Sequence, residues 1–231
     1  MERTVESLGM ILKGAITGTP RSGTTIFSAM LNQHPDLYVP FQSPLVELLW
    51  RQYELYTDRN FSIELSSVEV RQGMSQFFRG TADAFFRSCS AKTFALDKSG
   101  HWSTLANRNM FLDVFGEDLP LIYVRRPFAE IEQSFRDALP STMDAREVDQ
   151  FISKARVFAQ TTELSLAIRS KSWLVLEYED WIREPENTLR DVETFLDLAP
   201  HRYDLSAPSI DTSGASYVLN HRNLHEVRPM I

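Results

Sequence analysis

Residues 12–25 read Leu12-Lys13-Gly14-Ala15-Ile16-Thr17-Gly18-Thr19-Pro20-Arg21-Ser22-Gly23-Thr24-Thr25, and Ile26, Phe27, Met30 and Leu31 then recur at helical spacing up to His34-Pro35. A short apolar run, a turn rich in Gly, Pro, Ser and Thr, and a switch to a 3.6-residue period predict strand, loop and helix in succession. Pro35 and Pro40 end that helix. Open α/β sheets bind ligands where such a loop leaves the carboxyl end of a strand and enters a helix. The unpaired N–H groups and the positive end of the helix dipole suit an anion there.

Outward from this unit, further apolar runs at 93–96, 120–124 and 173–176 each precede a segment of helical period. Alternating strand and helix predict an α/β fold, a three-layer α/β/α arrangement with a mostly parallel central sheet. Two helices between 43 and 90 are expected to form a cap, with Leu45, Leu48 and Leu49 in one and Met74, Phe77, Phe78, Ala82, Phe85 and Phe86 in the other. A helix over about 144–168 and a Pro-initiated helix over 185–198 follow, and the tail after Ala199 has no clear period. No repeat or linker divides the chain, so one domain over 1–231 is expected.

Composition limits the partners. The 231 residues are 43% hydrophobic and carry 24 Lys+Arg against 31 Asp+Glu, a net charge of −7 that disfavours nucleic acid. No apolar run approaches the roughly 20 residues of a membrane span, and residues 1–6 lack the basic start of a secretory signal. The single cysteine, Cys89, forms no internal disulfide, and no Cys/His spacing suggests zinc, so a cytoplasmic protein without a metal is expected. An anionic ligand must then be held by a few local cations.

Against the Walker pattern G-x-x-x-x-G-K-[ST], Gly18, Gly23 and Thr25 fall correctly, but Thr24 stands where the lysine would be and Arg21 lies inside the loop. Arg21, Ser22, Gly23, Thr24 and Thr25 still offer a cation, hydroxyls and backbone donors to one phosphate-like group. A plain helix cap built from Ser and Thr is the other reading. The run Pro20-Arg21-Ser22-Gly23-Thr24-Thr25, its helix and His34-Pro35 resemble the 5′-phosphosulfate loop of sulfotransferases that use PAPS, 3′-phosphoadenosine 5′-phosphosulfate. The variant is most similar to bacterial and Golgi-type members of that family.

Three later segments extend the resemblance across residues 17–197 in the expected order. The family's 3′-phosphate element is an Arg with a Ser eight residues on, which fits Arg126 and Ser134. Its usual Arg-Asp-Pro or Arg-Asn-Pro, aligned on Pro127, selects Arg125 instead; the spacing favours Arg126. Glu177-Tyr178-Glu179-Asp180-Trp181 resembles a Y-E-D-L segment whose tyrosine lies near adenine, although Tyr178 also reads as a core tyrosine at a strand end. Ala95 to His101 resembles a D-K-x-P segment, with Gly100 in place of Pro, whose lysine reaches the reacting sulfate. Lys98 could equally pair with Asp97.

The resemblance implies in-line, metal-independent transfer of the sulfuryl group of PAPS to a hydroxyl or amine of a small-molecule or glycan acceptor, releasing adenosine 3′,5′-bisphosphate. Arg21 and the loop amides would hold the 5′-phosphate and Lys98 would offset charge growing on the bridging oxygen. For the general base, Gln42 occupies the glutamate position of tyrosine-sulfating relatives and cannot accept a proton. His101 is preferred and Glu47 is second, with no base at all a third possibility; His34 is expected to be structural. Ser213 to Arg222 would close over the 3′-phosphate, with Arg222 and Arg228 as candidate contacts. Phe77, Phe78, Phe85 and Phe86 read as core before acceptor pocket. Competing readings are a kinase with an altered P-loop and a non-catalytic relative that binds the bisphosphate. The acceptor and the oligomeric state are not legible.

Overall fold

β1 (Ile11–Thr17) is the central strand of a five-stranded sheet in the order β2-β3-β1-β4-β5. The computed structural model describes residues 11–57, 68–138, 144–168 and 170–206. β3 (Phe94–Lys98), β4 (Leu121–Arg125) and β5 (Trp173–Glu177) lie on the other three apolar runs, and every pairing is parallel. β2 (Leu37–Tyr38) was not expected. Two residues are too short to show a period, and they join the sheet because the His34-Pro35-Asp36 turn delivers them beside β3.

Alternation along the strands sorts the core into two faces, as a pleated sheet requires. Ile16, Leu96, Ile122, Val124 and Leu176 face α1 (Thr24–Leu31), α7 (Tyr178–Arg183) and α8 (Pro185–Phe195). There Phe27 meets Trp181 edge-on with ring centres 5.2 Å apart. Burial of each such side chain contributes roughly 1.5–3 kcal/mol. Ala15, Ala95, Leu121, Tyr123 and Trp173 face α2 (Leu45–Thr57), α3 (Val68–Arg87) and α4 (Leu105–Phe115). The result is a three-layer α/β/α fold, and the helices of residues 43–90 pack directly on the sheet. Phe78 and Phe86 are fully buried in that layer while Phe77 is 55% exposed, so the aromatic stripe is chiefly core.

α5 (Phe128–Ala138) and α6 (Ala145–Ile168) pack on each other through Ile131, Phe135, Ile152 and Ala155. α6 begins at a reciprocal cap: Glu147 N–H donates to Asp144 Oδ1 at 2.8 Å, and Asp144 N–H donates to Glu147 Oε2 at 3.1 Å. α8 starts on Pro185 and ends at Phe195, three residues before the expected limit. Among the described residues no helix is long and apolar enough to cross a membrane.

The far end of α1 is tied down. Lys92 Nζ donates to the carbonyls of Asn32, His34 and Leu37 at 2.6, 3.0 and 2.9 Å, a cation on the negative end of the helix. His34 is buried; its Nδ1 accepts from Asp36 N–H at 3.2 Å, which leaves Nε2–H to donate to Ala199 O at 2.9 Å. Both ring nitrogens are therefore engaged in holding the turn.

Candidate functional site

The loop after β1 is folded tightly enough that side chains would not fit. A Cβ on Gly18 would lie 2.4 Å from Ser22 Oγ and 3.0 Å from Val124 O. Gly23 has φ +90°, and a Cβ there would meet the Tyr178 ring at 2.6 Å. Ser22 N–H donates to Thr19 O at 2.9 Å and closes the turn. Gly23 caps α1 without any side-chain hydrogen bond, and Ser22 Oγ is buried with no protein partner. Donors left without acceptors at a helix N-terminus are what a phosphate relieves, so this loop fits a phosphate group.

The other segments converge on this loop because they leave the same edge of the sheet. Lys98, the last residue of β3, donates through Nζ to Thr25 Oγ1 at 3.0 Å and to Phe41 O at 2.7 Å. Burial lowers its pKa to about 8. Asp97 points to the opposite face, as strand alternation demands, so the two do not pair. The Asp97 carboxylate is fully buried and accepts from the Trp102 indole N–H; burial raises its pKa to about 6.

At the end of β4 the two arginines part. Arg126 lies with its guanidinium carbon 4.1 Å from the centre of the Tyr178 ring, a cation–π distance, while Nη1 donates to Arg21 O at 3.0 Å and Nε to Glu130 at 3.0 Å. Arg125 instead bonds Glu177 through Nε at 2.8 Å and approaches Glu163 at 3.5 Å. Glu177 holds its pKa above the ordinary arginine range. Arg126, Tyr178, Arg21 and Ser134 thus form one cluster, and Arg125 belongs to a separate ion-pair group. Arg21 Nε donates to Ser134 Oγ at 3.1 Å, so its side chain reaches α5.

His101 sits on a 3₁₀ turn, Gly100–Ser103, just after Lys98, where Ser99 Oγ accepts from its backbone N–H at 3.3 Å. Its Nε2 is 3.6 Å from Glu47 Oε1, so the two candidate bases face one another. Both are exposed, as is Gln42. Sequence reasoning missed Phe41 O as a partner of Lys98 and Ser43, whose N–H donates to Lys98 O at 3.2 Å; neither carries a side-chain pattern that announces a backbone contact. Among the described residues no group of three His, Cys, Asp or Glu side chains is arranged to hold a metal. Ser213 to Arg222 and Arg228 lie outside the described residues.

A family model described as "Sulfotransferase family" matches residues 15–202. Among solved structures, the chain is similar to the sulfotransferase domain from the Synechococcus PCC 7002 olefin synthase, at 21% identity and TM-score 0.63 over 93% of this chain and 83% of that one. It is similar also to the sulfotransferase domain from the curacin biosynthetic pathway, at 17% identity and TM-score 0.56 over 95% and 89% of the two chains. A sulfotransferase from Alicyclobacillus acidocaldarius matches at 18% identity and TM-score 0.56, with 85% of each chain covered. At these identities the likeness is one of fold. No curated protein matches the chain.

Proposed function

The chain belongs to the sulfotransferase family, and from that premise we propose that it moves the sulfuryl group of PAPS to a hydroxyl or amine of a small-molecule or glycan acceptor. One observation carries the reading: a loop with a buried, unpartnered hydroxyl at a helix N-terminus, a desolvated lysine and an arginine stacked on a tyrosine meet at one edge of the sheet. When bound, PAPS supplies a sulfuryl group on a nucleotide phosphate that leaves as adenosine 3′,5′-bisphosphate.

The residues divide the work by position. Ser22, Gly23, Thr24 and Thr25 bind the 5′ end through loop donors at the N-terminus of α1. Lys98, held by Thr25 and Phe41 O, places positive charge beside the bridging oxygen, where charge grows as the bond to sulfur breaks. Arg126 and Ser134 bind the 3′-phosphate, and Tyr178 offers its ring edge and hydroxyl to the adenine. Arg21 stands between the two ends.

His101 takes the proton from the acceptor and Glu47, 3.6 Å away, orients the imidazole. Gln42 has no proton-accepting role. Positioning and fixed charge supply most of the rate in such transfers, so the chain needs no covalent intermediate of its own.

The test is titration of the protein with adenosine 3′,5′-bisphosphate, followed by incubation with PAPS and an acceptor panel, with and without EDTA, read by mass spectrometry for gain of SO₃. Binding and EDTA-resistant gain are expected. Binding without gain on any acceptor would favour a non-catalytic relative. Absence of binding would remove the reading altogether, and phosphoryl gain from ATP that EDTA abolishes would favour a kinase.

A further inference from the structure

Asp97 is a fully buried acid on the face of β3 opposite Lys98. The Trp102 indole N–H donates to its Oδ2, and among the described residues Oδ1 has no partner at hydrogen-bond distance. Burial opposes its charge; the Ser43 and Trp102 side chains favour it, and the charge of Glu47 opposes it again. A carboxylate so placed, with no cation beside it, costs stability rather than adding it. Its effect lies in what it fastens.

Two elements meet at this carboxylate. Trp102 belongs to the 3₁₀ turn Gly100–Ser103, one residue after His101, and its ring is buried in the core shared with α2, α3 and α4, edge-on to Phe111 at 5.9 Å. Other bonds tie the turn to α4 and β1: Asn107 Nδ2 donates to His101 O at 2.8 Å, and Thr17 Oγ1 donates to Gly100 O at 3.2 Å. The bond from Trp102 ties it to β3. On the other side buried Ser43 caps α2 by accepting from Leu45 N–H at 3.0 Å, and its own N–H donates to Lys98 O at 3.2 Å. Glu47 follows in the first turn of that helix. His101 Nε2 and Glu47 Oε1 stand 3.6 Å apart on exposed side chains, so their spacing is set by the two backbones that carry them.

We propose that Asp97 is a positioning residue for the transfer: by holding Trp102 under the 3₁₀ turn and lying against Ser43 at the cap of α2, it keeps the His101 imidazole in register with Glu47 and Lys98. This rests on the reading above, in which His101 takes the proton of the acceptor. The task needs an accepting oxygen at Oδ2 rather than a charge, because a carboxamide oxygen accepts an indole N–H as a carboxylate does. Loss of that oxygen leaves the indole N–H buried without a partner, and the turn shifts to relieve it. A displacement of about 1 Å is enough to cost a reacting group much of its effect. Nucleotide binding, assigned to the loop after β1 and to the opposite face of β3, is left alone.

The experiment compares the full chain with Asp97→Ala, Asp97→Asn and Trp102→Phe, each alone and combined with His101→Ala. Two quantities are read: kcat for SO₃ gain from PAPS on the panel acceptor that reacts fastest, and calorimetric affinity for adenosine 3′,5′-bisphosphate. Asp97→Ala and Trp102→Phe are expected to lower kcat by about 10- to 100-fold with bisphosphate affinity within about twofold of the parent, and Asp97→Asn to restore kcat to within about threefold. In the His101→Ala background none of the three should lower kcat by more than about twofold further, since a residue that acts through the imidazole has nothing left to position. Trp102→Phe keeps the buried ring and removes only the N–H, so it carries the comparison where Asp97→Ala folds poorly. Equal losses with and without His101, full kcat in Asp97→Ala and Trp102→Phe, full kcat in His101→Ala, or an Asp97→Asn as impaired as Asp97→Ala would each overturn the assignment and leave the PAPS reading standing. A parent protein that fails to bind the bisphosphate or to transfer SO₃ would overturn that reading and the assignment with it.

Discussion

Lys98 Nζ donates to Thr25 Oγ1 at 3.0 Å, which joins the carboxyl end of β3 to the first turn of α1. The ammonium is therefore fixed beside the helix N-terminus before any anion arrives. Such preorganisation is worth most when charge develops late, and Lys98→Ala is expected to lower turnover by about 100-fold in single-turnover sulfuryl transfer. Retention of full turnover would remove Lys98 from the chemistry.

The same lysine sets a pH dependence. Its pKa is lowered to about 8, so the charge is present below that value and lost above it. Affinity for adenosine 3′,5′-bisphosphate should fall as pH rises through about 8. Lys98→Arg, charged throughout, should show no such fall; titrations at several pH values compare them.

Arg125 and Arg126 make a paired test because they are neighbours in sequence with separate partners. Arg126→Ala should weaken bisphosphate binding by 10-fold or more, since it removes a charge-assisted contact. Arg125→Ala removes a half-exposed pair with Glu177, so binding should be unchanged and stability lower by no more than about 1 kcal/mol. An inverted result in the same titration would transfer the phosphate role to Arg125.

Asp97 ties stability to pH. Its folded pKa, about 6, lies above the 3.8 of an unperturbed carboxyl, so the contribution present at low pH is lost as pH rises through about 6. Asp97→Asn keeps an acceptor for the Trp102 indole without the buried charge. Its melting temperature should gain on the parent's between about pH 4 and pH 6 and keep that gain above it; a constant difference across that window would show that burial does not perturb this carboxyl.

For the acceptor side, His101→Ala should reduce kcat by about 100-fold or more while bisphosphate affinity holds, the pattern of a lost general base. Glu47→Gln should cost less, because the imidazole remains. Both residues are exposed, so melting should shift little. An unaltered kcat in His101→Ala would show that the acceptor needs no base from this residue.

How much could be read before folding depended on the range of the signal. The loop Gly18 to Thr25 was legible because strand, turn formers and helix follow one another locally. Arg126 and Ser134 were legible as a pair because the family resemblance fixes their spacing, one just past β4 and the other on α5. The reach of Arg21 to Ser134 was not, since it depends on a positive φ and on α5 packing beside the loop. The pairing of His101 with Glu47 joins a 3₁₀ turn to α2, and no local period reports that meeting. The opposed directions of Asp97 and Lys98 follow from strand alternation alone.

α1 is about 12 Å long at the rise of an α-helix, with Lys92 on the carbonyl of its C-cap Asn32 and the loop Gly18 to Thr25 at its start. A cation at one end, and at the other the anion that the proposed function places there, would make the helix a short, polarised strut. The ammonium of Lys92 lies at the opposite end of α1 from the loop Gly18 to Thr25. Yet by fixing the strut's trailing end it keeps the N–H groups at the leading end aimed, so that an arriving phosphate does not have to order the helix that receives it.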